Sequence, residues 1–218
     1  MNDEAKRLVE YALSQVGYSE SPKGSNKNKY AAEIDKNYPD FYNGKKNGVA
    51  WCDVFVDYCF LHCFGETKAL YMLCQPKKSC GAGCKFSAEY YKAKNRFGGT
   101  AEVGSQIFFT NGNTINHTGI VYKVDSNKVY TVEGNTDDQV KTHSYSLTSK
   151  KIYGYGYPRY SKVDSKTLTD DQITKIAYDV IRGKYGNGNA RKTALNNLGF
   201  GDIYSIIQKK VNSLLFKK

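Results

Sequence analysis

Cys52 is the residue of this 218-residue chain whose type and position most directly suggest covalent chemistry. It follows the only tryptophan, Trp51, and opens an apolar run, so we expect it at the start of a helix. A cysteine is a nucleophile as the thiolate, and a helix N-terminus or a nearby imidazole favours that form. The sequence therefore predicts a nucleophile at Cys52, with a packed, inert thiol as the alternative.

The partner imidazole must come from one of the three histidines of the chain. His62 lies ten residues along the same predicted helix, roughly 15 Å away, which is too far for proton transfer. His143 lies in a polar segment typical of a strand at a sheet edge. His117 opens the run HTGIVYKV, which predicts a strand, and it is the candidate general base.

The next predicted strand supplies candidates for an orienting residue. We expect a three-residue loop after Val124, which would pair Val124 with Lys128. This register sets His117 opposite Asn135, and His117, Glu133 and Asn135 then share one sheet face because alternate residues point the same way. A loop of two or four residues would put Glu133 on the other face. Glu133 or Asn135 would fix the orientation and tautomer of the imidazole, as in a cysteine hydrolase.

The apolar spacing predicts the elements that position these residues. Helical spacing occurs at 3–16, 30–34, 52–64 and 87–97, and the segment 74–84 predicts a loop. Short β-branched and aromatic runs at 104–110, 117–124, 128–134 and 151–158 predict strands. Helices followed by strands predict an α+β fold, with N-terminal helices packed on an antiparallel sheet.

The pattern changes again near residue 161. Residues 161–169 are polar without periodicity, which predicts a linker between a catalytic domain at 1–160 and a module at 170–218. Apolar spacing in the module predicts a small bundle of three short helices. Residues 161–218 carry 11 Lys and Arg against 5 Asp and Glu, so this part of the chain is basic.

The composition of the chain limits the cellular compartments and the binding partners that we expect for it. No run approaches the roughly 20 apolar residues of a membrane span, so we expect no membrane insertion. The net charge of +11 favours an anionic partner, and the tyrosines are not interleaved with Lys and Arg, which favours cell wall over nucleic acid. The N-terminus lacks the pattern of a secretory signal, so we expect no signal peptide and six free thiols at synthesis.

The motifs WCDVFV, NHTGIVYKV and VYTVEGNT resemble those of the cysteine, histidine-dependent amidohydrolase/peptidase (CHAP) domain. Phage endolysins and bacterial autolysins use this papain-like domain to cut peptidoglycan, and the similarity extends over most of residues 1–160. The resemblance implies that Cys52 is the nucleophile and His117 the base. It also implies that Glu133 orients the base and that Asn135 is a fourth member or a donor beside the oxyanion. Some members bind calcium through an Asp-x-Asp loop, which is missing from FYNGKKNGVAWC, so we expect no cofactor.

The segment GKYGNGNARK, within IAYDVIRGKYGNGNARKTALNNLGFGDIYSIIQKKVN, resembles the cell-wall-binding repeat of certain phage lysozymes. In that family the repeat is a three-helix bundle that binds muropeptide, usually in tandem copies. Candidate ligand contacts are Tyr185, Asn187 and Arg191, and a structural turn is the alternative for all three. Because a single copy gives little avidity, we expect either a homodimer or retention on the wall by basic charge.

Four other cysteines form two pairs with C-x3-C spacing. Tetrahedral zinc takes four such ligands, so Cys59, Cys63, Cys80 and Cys84 are candidates for a structural zinc site. Because C-x2-C is the commoner zinc spacing and the first pair lies in an apolar helix, buried thiols are the favoured alternative.

The sequence as a whole predicts a phage endolysin that joins a peptidoglycan hydrolase to a wall-binding module. We expect an N-acetylmuramoyl-L-alanine amidase, with an endopeptidase of the stem peptide or cross-bridge as the alternative. A host autolysin or toxin domain is a rival enzyme, and a non-catalytic cell-wall-binding protein is the rival of another class. We expect the protein to stay in the host cytoplasm until lysis and then to reach the cell wall.

Overall fold

The computed structural model describes residues 2–161, 169–197 and 204–215. The chain divides into one compact unit over Ala5–Arg159 and a second unit built from the residues on either side of it. The predicted linker lies mostly at 162–168, outside the described residues, so its boundaries stay a prediction.

The larger unit has helices first and strands second, as an α+β fold requires. The helices are α1 (Asp3–Ser14), α2 (Lys29–Asn37), α3 (Cys52–Phe64), α4 (Glu66–Met72) and α5 (Cys84–Lys92). The strands are β1 (Phe97–Gly98), β2 (Gln106–Thr110), β3 (Ile115–Val124), β4 (Lys128–Thr136), β5 (Gln139–Ser146) and β6 (Ile152–Gly156). The predicted α+β class, with N-terminal helices and an antiparallel sheet, is confirmed.

Helix α3 is the central helix of this unit. Its apolar residues cover nearly the whole circumference, and ten of its 13 residues are buried, because it packs against α2, α4, α5, β3 and β4. The contact with β4 is very close, since a Cβ atom on Gly134 would lie 2.5 Å from Phe55 Cβ and 2.9 Å from Trp51. A glycine at this position lets the helix start lie directly on the sheet.

The six strands form one antiparallel sheet in the order β1-β6-β2-β3-β4-β5. One face, which includes Gln106 and Thr118, lies against the start of α3. The other face carries a separate apolar cluster of Ile107, Phe109, Val121, Val129 and Tyr155. The central strands β2, β3 and β4 are therefore buried on both faces.

The register of β3 with β4 contains one correction to the sequence prediction. Val124 pairs with Val129 instead of Lys128, so the predicted pairing at the hairpin end is wrong. A bulge between Val121 and Lys123 then shifts the pairing by one residue, and Ile120 lies opposite Val132. Beyond the bulge the register is the predicted one.

Two short elements are not predicted by the sequence pattern. The structure adds α4 and β1, and α5 begins at Cys84, three residues before its predicted start. The polar segment around His143 forms the edge strand β5. Short elements such as β1 carry too little periodic pattern to be recognised alone. None of the described helices is long and apolar enough to cross a membrane.

The smaller unit contains α6 (Asp170–Ile181), α7 (Gly188–Asn197) and α8 (Tyr204–Leu215). Thr169 begins α6 with a capping box, in which its side chain and that of Gln172 each bond to the backbone of the other residue. The predicted third helix includes Ile203, and the predicted second one Leu198, which lie outside the described residues. The three helices share a core of Ala177, Val180, Leu195, Ile207 and Val211.

Candidate active site

Cys52 is the first residue of α3 and its side chain is half-buried. The preceding Trp51 is fully buried, and its indole Nε1 donates a hydrogen bond of 2.6 Å to Glu20 Oε2. This bond and the packing on Gly134 hold the start of the helix in place. Unpaired N–H groups and the positive end of the helix dipole therefore lie at Cys52, as the sequence predicted.

His117 and Glu133 form a direct pair on adjacent strands. His117 Nε2 lies 2.8 Å from Glu133 Oε2, and the Glu133 side chain is almost fully buried. The hydroxyls of Thr131 and Tyr145 also donate to this carboxylate. Within the described residues, Nδ1 of His117 makes no hydrogen bond, which leaves that nitrogen for a second partner.

The ionised form of Glu133 is favoured although its side chain is buried. Burial raises the pKa of this carboxyl, but the hydrogen bond and charge of His117, together with the Thr131 hydroxyl, outweigh it and lower the pKa below the ordinary value. An ionised carboxylate at Nε2 fixes the imidazole tautomer and stabilises an imidazolium. The orienting arrangement predicted for Glu133 is thus present in the structure.

Asn135 makes its side-chain hydrogen bond to Asn26 and not to this pair. Its φ is 59°, in the left-handed region, and a register shift of β4 against β5 falls between Glu133 and Thr136. Thr136 Oγ1 lies 3.5 Å from His117 Nε2, while Asn135 Nδ2 donates to Asn26 Oδ1 at 3.2 Å. The expectation that Asn135 shares the face of His117 is wrong, because the irregularity inserts one residue into the alternation. Its part in catalysis stays a prediction.

The start of α3 lies beside the segment that carries His117. Asp53, next to Cys52, accepts a hydrogen bond of 3.0 Å from Gln106 Nε2. The same amide nitrogen donates a hydrogen bond of 3.1 Å to Thr118 Oγ1. Cys52 and His117 therefore each adjoin one end of a single buried hydrogen-bond chain. No hydrogen bond joins Cys52 to His117 within the described residues.

The Cys52 thiol has another sulfur as its neighbour. Cys84, the first residue of α5, lies within hydrogen-bonding reach of Cys52, and its Sγ is 3.6 Å from the carbonyl oxygen of Ile115. The hydrogen bond to Cys84, followed by burial, raises the pKa of the Cys52 thiol well above its ordinary value, and the same bond lowers the pKa of Cys84. In this arrangement Cys52 keeps its proton. The site holds a thiol at the start of α3 and an imidazole-carboxylate pair on the two strands that pack against this helix.

Two buried carboxyl groups behind Cys52 were not singled out from the sequence. Asp53 and Asp57 are one turn apart on α3, and both are at most 1% exposed. Tyr42 and Gln75 donate to Asp57, each at 2.8 Å. Burial raises the pKa of Asp53 to about 6 and that of Asp57 well above its ordinary range. Acids inside an apolar helix are the sequence signal that could have found them, since such groups need buried donors.

The four cysteines considered for zinc do not converge. Cys63 Sγ lies near the Arg7 carbonyl oxygen, and Cys80 Sγ lies 3.4 Å from that of Pro76. Cys59 is fully buried on α3, and Cys84 adjoins Cys52. Among the described residues, no three His, Cys, Asp or Glu side chains are grouped as metal ligands.

In the smaller unit, Tyr185 and Asn187 lie in the turn between α6 and α7, and Arg191 lies in the first turn of α7. The Arg191 guanidinium donates to Gly186 O at 3.2 Å, Asn187 Oδ1 at 3.0 Å and Gln208 Oε1 at 3.4 Å. Tyr185 packs against the core of the unit. These contacts are those of a structural turn, and whether the same residues also touch a ligand stays a prediction.

Two known families match the chain, one within the larger unit and one within the smaller unit. The family model described as the CHAP domain matches residues 44–135, and the one described as the CW_7 repeat matches residues 174–215. A solved structure described as the crystal structure of Ly7917 is similar at 15% identity and a TM-score of 0.45, over 71% of this chain and 62% of that one. This chain thus spans less than two thirds of the length of that relative. No curated protein sequence matches the chain.

Proposed function

The chain carries a CHAP domain followed by a CW_7 repeat, and from this premise we propose that it is an endolysin-type N-acetylmuramoyl-L-alanine amidase. A CHAP domain indicates a cysteine- and histidine-dependent amidohydrolase or peptidase that acts on peptidoglycan. The observation that carries the proposal is the 2.8 Å pair of His117 and the buried Glu133, on strands that pack against the helix that Cys52 begins. The amide bond proposed to be cut is the one between the lactyl group of N-acetylmuramic acid and L-alanine.

The proposed mechanism starts with a rotation of the Cys52 side chain from Cys84 towards His117. Nδ1 of His117 accepts the thiol proton, and the ionised Glu133 stabilises the resulting imidazolium through Nε2. The thiolate attacks the lactyl carbonyl carbon of N-acetylmuramic acid. The N–H groups at the start of α3 stabilise the negative oxygen that develops there.

The tetrahedral species then collapses with cleavage of the carbon–nitrogen bond. His117 returns its proton to the leaving amine of L-alanine, and the sugar lactyl group remains on Cys52 as a thioester. A water molecule, deprotonated by the same imidazole, attacks the thioester and releases the free thiol. The products are a lactyl carboxylate and a peptide with a free N-terminal L-alanine.

Mass spectrometry of digested walls tests which amide bond is cut. A new N-terminal L-alanine supports the amidase. A new terminus further along the stem peptide or in the cross-bridge would overturn the amidase assignment and establish an endopeptidase.

Replacement of Cys52 by Ala tests the cysteine mechanism itself. We expect loss of wall lysis, measured as turbidity, with retained sedimentation on purified walls. The matched control is Cys63→Ala, a buried thiol of the same helix that is remote from its start. Unchanged lysis by Cys52→Ala would remove the nucleophile. If the wild-type protein binds walls without releasing soluble fragments, the chain is a non-catalytic wall-binding protein.

We further propose that peptidoglycan is bound through the CW_7 repeat, helped either by homodimer formation or by the basic charge of +11. Sedimentation velocity and wall binding at increasing salt separate these two possibilities. A strict monomer that binds walls equally well in high salt would contradict both.

For location, we propose storage in the host cytoplasm until lysis, followed by transfer to the cell wall. Six cysteines in one chain suit a reducing compartment. Fractionation of infected cells before and after lysis tests the order, and protein found at the wall before lysis would contradict it.

A further inference from the structure

Cys52 and Cys84 are held next to each other by two helix starts. Each cysteine is the first residue of its helix, and their thiols lie within hydrogen-bonding reach. Ser87 Oγ donates to Asp53 Oδ2 at 2.8 Å, which ties the first turns of α3 and α5 together. The two sulfurs are therefore kept close by buried backbone elements.

Among the described cysteines, none of the remaining thiols adjoins Cys52. The sulfurs of Cys63, Cys74 and Cys80 each face a backbone carbonyl oxygen, at 3.9, 4.0 and 3.4 Å. Cys59 is fully buried inside the helix packing. Of the described cysteines, Cys52 alone is not buried, so the pair that contains it is the one a small oxidant reaches.

We propose that Cys52 and Cys84 are joined as a disulfide by peroxide and that this bond reversibly inactivates the enzyme. The inactivation rests on the proposed function, since it takes Cys52 as the nucleophile. A disulfide needs its two sulfurs about 2.05 Å apart, and thiols already at hydrogen-bonding reach approach this separation by side-chain rotation.

The charge distribution favours Cys84 as the sulfur that reacts first. The hydrogen bond from Cys52 lowers the pKa of the Cys84 thiol, and the thiolate is the form that attacks peroxide. Because Cys84 begins α5, the partial positive charge of the helix N-terminus also favours a negative sulfur there.

The reaction balances with one peroxide for each pair of thiols. The Cys84 thiolate attacks one peroxide oxygen, so that a sulfur–oxygen bond forms, the oxygen–oxygen bond breaks and hydroxide leaves. Cys52 sulfur then attacks Cys84 sulfur, its proton passes to the departing hydroxide, and the sulfur–oxygen bond breaks as the disulfide forms. Two thiols lose two electrons and two protons in total, and the peroxide becomes two molecules of water.

The disulfide blocks catalysis by occupying the sulfur that must turn towards His117. The helices would be linked at their first residues, and the imidazole-carboxylate pair would remain intact without a nucleophile. A dithiol reductant would restore the free thiols by exchange. Such an enzyme works while thiols are kept reduced and stops under peroxide.

The test treats the full-length protein with hydrogen peroxide, removes the peroxide with catalase, and divides the sample before adding dithiothreitol to one half. We expect oxidised wild type to lose most of its wall lysis and to regain most of it after reduction. Tandem mass spectrometry of the unreduced half should find a linked peptide joining Cys52 to Cys84. No such linked peptide would overturn the proposal.

Cys84→Ser is the informative variant, scored as the fraction of its own starting activity regained after reduction. Without Cys84, oxidised Cys52 proceeds to states that dithiothreitol does not reverse, so we expect a fraction several-fold below that of wild type. Cys63→Ala is the control and should recover as wild type does. Equal recovery by Cys84→Ser and wild type would overturn the switch.

Two further measurements distinguish a folding defect and a loss of function from the switch. Far-UV circular dichroism checks that Cys84→Ser is folded, and Cys84→Ala is used instead if the serine variant is unfolded. The linked-peptide measurement needs only the wild-type protein. Wall lysis by Cys52→Ala would overturn the proposed function, whatever the mass spectrum shows. Absence of the linked peptide overturns the switch and leaves the hydrolase untouched.

Discussion

Replacement of Asp53 by Asn is expected to stabilise the protein above about pH 6 and to change little near pH 4. Asp53 is 1% exposed and accepts hydrogen bonds from Ser87 and Gln106. Burial raises the pKa of its carboxyl from 3.8 to about 6, although both hydrogen bonds lower it. The folded state therefore binds the proton more tightly than the unfolded state. This stabilisation is complete below the unfolded pKa and is lost as the pH rises through about 6.

The magnitude follows from the size of the pKa shift. A shift of about two units, at about 1.4 kcal/mol per unit, gives about 3 kcal/mol. Asn carries no charge, so the variant avoids this loss, and its amide oxygen can still accept from Gln106. Asp57 remains in both proteins, and its pKa is raised by burial and by the charge of Asp53. Removal of that charge favours ionised Asp57 as well, so this contribution acts in the same direction at the higher pH.

The assay is urea unfolding followed by far-UV circular dichroism, at about pH 4 and about pH 7.5, for both proteins. The free energy of unfolding of Asp53→Asn minus that of wild type should be more positive at the higher pH, by about 3 kcal/mol. Asp40→Asn is the control, because Asp40 is exposed and its side chain makes no hydrogen bond among the described residues. A difference that is equal at both pH values, or larger at the lower one, would refute the reasoning.

Three further substitutions test the pair, the helix contact and the smaller unit. Glu133→Gln should lower turnover by about 10- to 100-fold and leave wall sedimentation unchanged, because a charge-assisted hydrogen bond to His117 is worth about 1.5–3 kcal/mol. A variant with wild-type turnover would contradict the orienting role of Glu133. Gly134→Ala should lower the free energy of unfolding in urea by about 1–3 kcal/mol, since its Cβ would lie 2.5 Å from Phe55 Cβ; an unchanged midpoint would contradict this contact. Arg191→Lys should lower the melting temperature of the smaller unit and weaken wall sedimentation, because a single ammonium cannot reproduce the bonds of the planar guanidinium to its three acceptors. Unchanged melting would contradict the structural turn.

The pairing of His117 with Glu133 shows how a correct sequence prediction can rest on a wrong local step. The pairing at the hairpin end differs by one residue from the prediction, and the bulge at Tyr122 restores the register before the site. Loop propensity acts over a few residues, whereas a bulge depends on how both strands pack. The sequence could therefore predict the face shared by the pair without predicting the turn.

Asn135 and Cys84 show the opposite case. Regular alternation predicted that Asn135 faces the imidazole, but the irregularity of β4 turns it to Asn26, 109 residues away in sequence. Cys84 was considered for zinc within a loop, and the structure places it at a helix start against Cys52. Neither contact is local, so neither leaves a periodic signal in the sequence.

The sequence by itself determined the α+β layout, the helix that begins at Cys52 and the strands that carry His117 and Glu133. These features follow from apolar spacing and turn residues, which act over short stretches of chain. The tertiary structure alone decided that the Cys52 thiol rests against Cys84 and that Asp53 is buried behind it. Those contacts arise where α3, α5 and the sheet pack together, and packing joins residues whose separation in sequence carries no pattern.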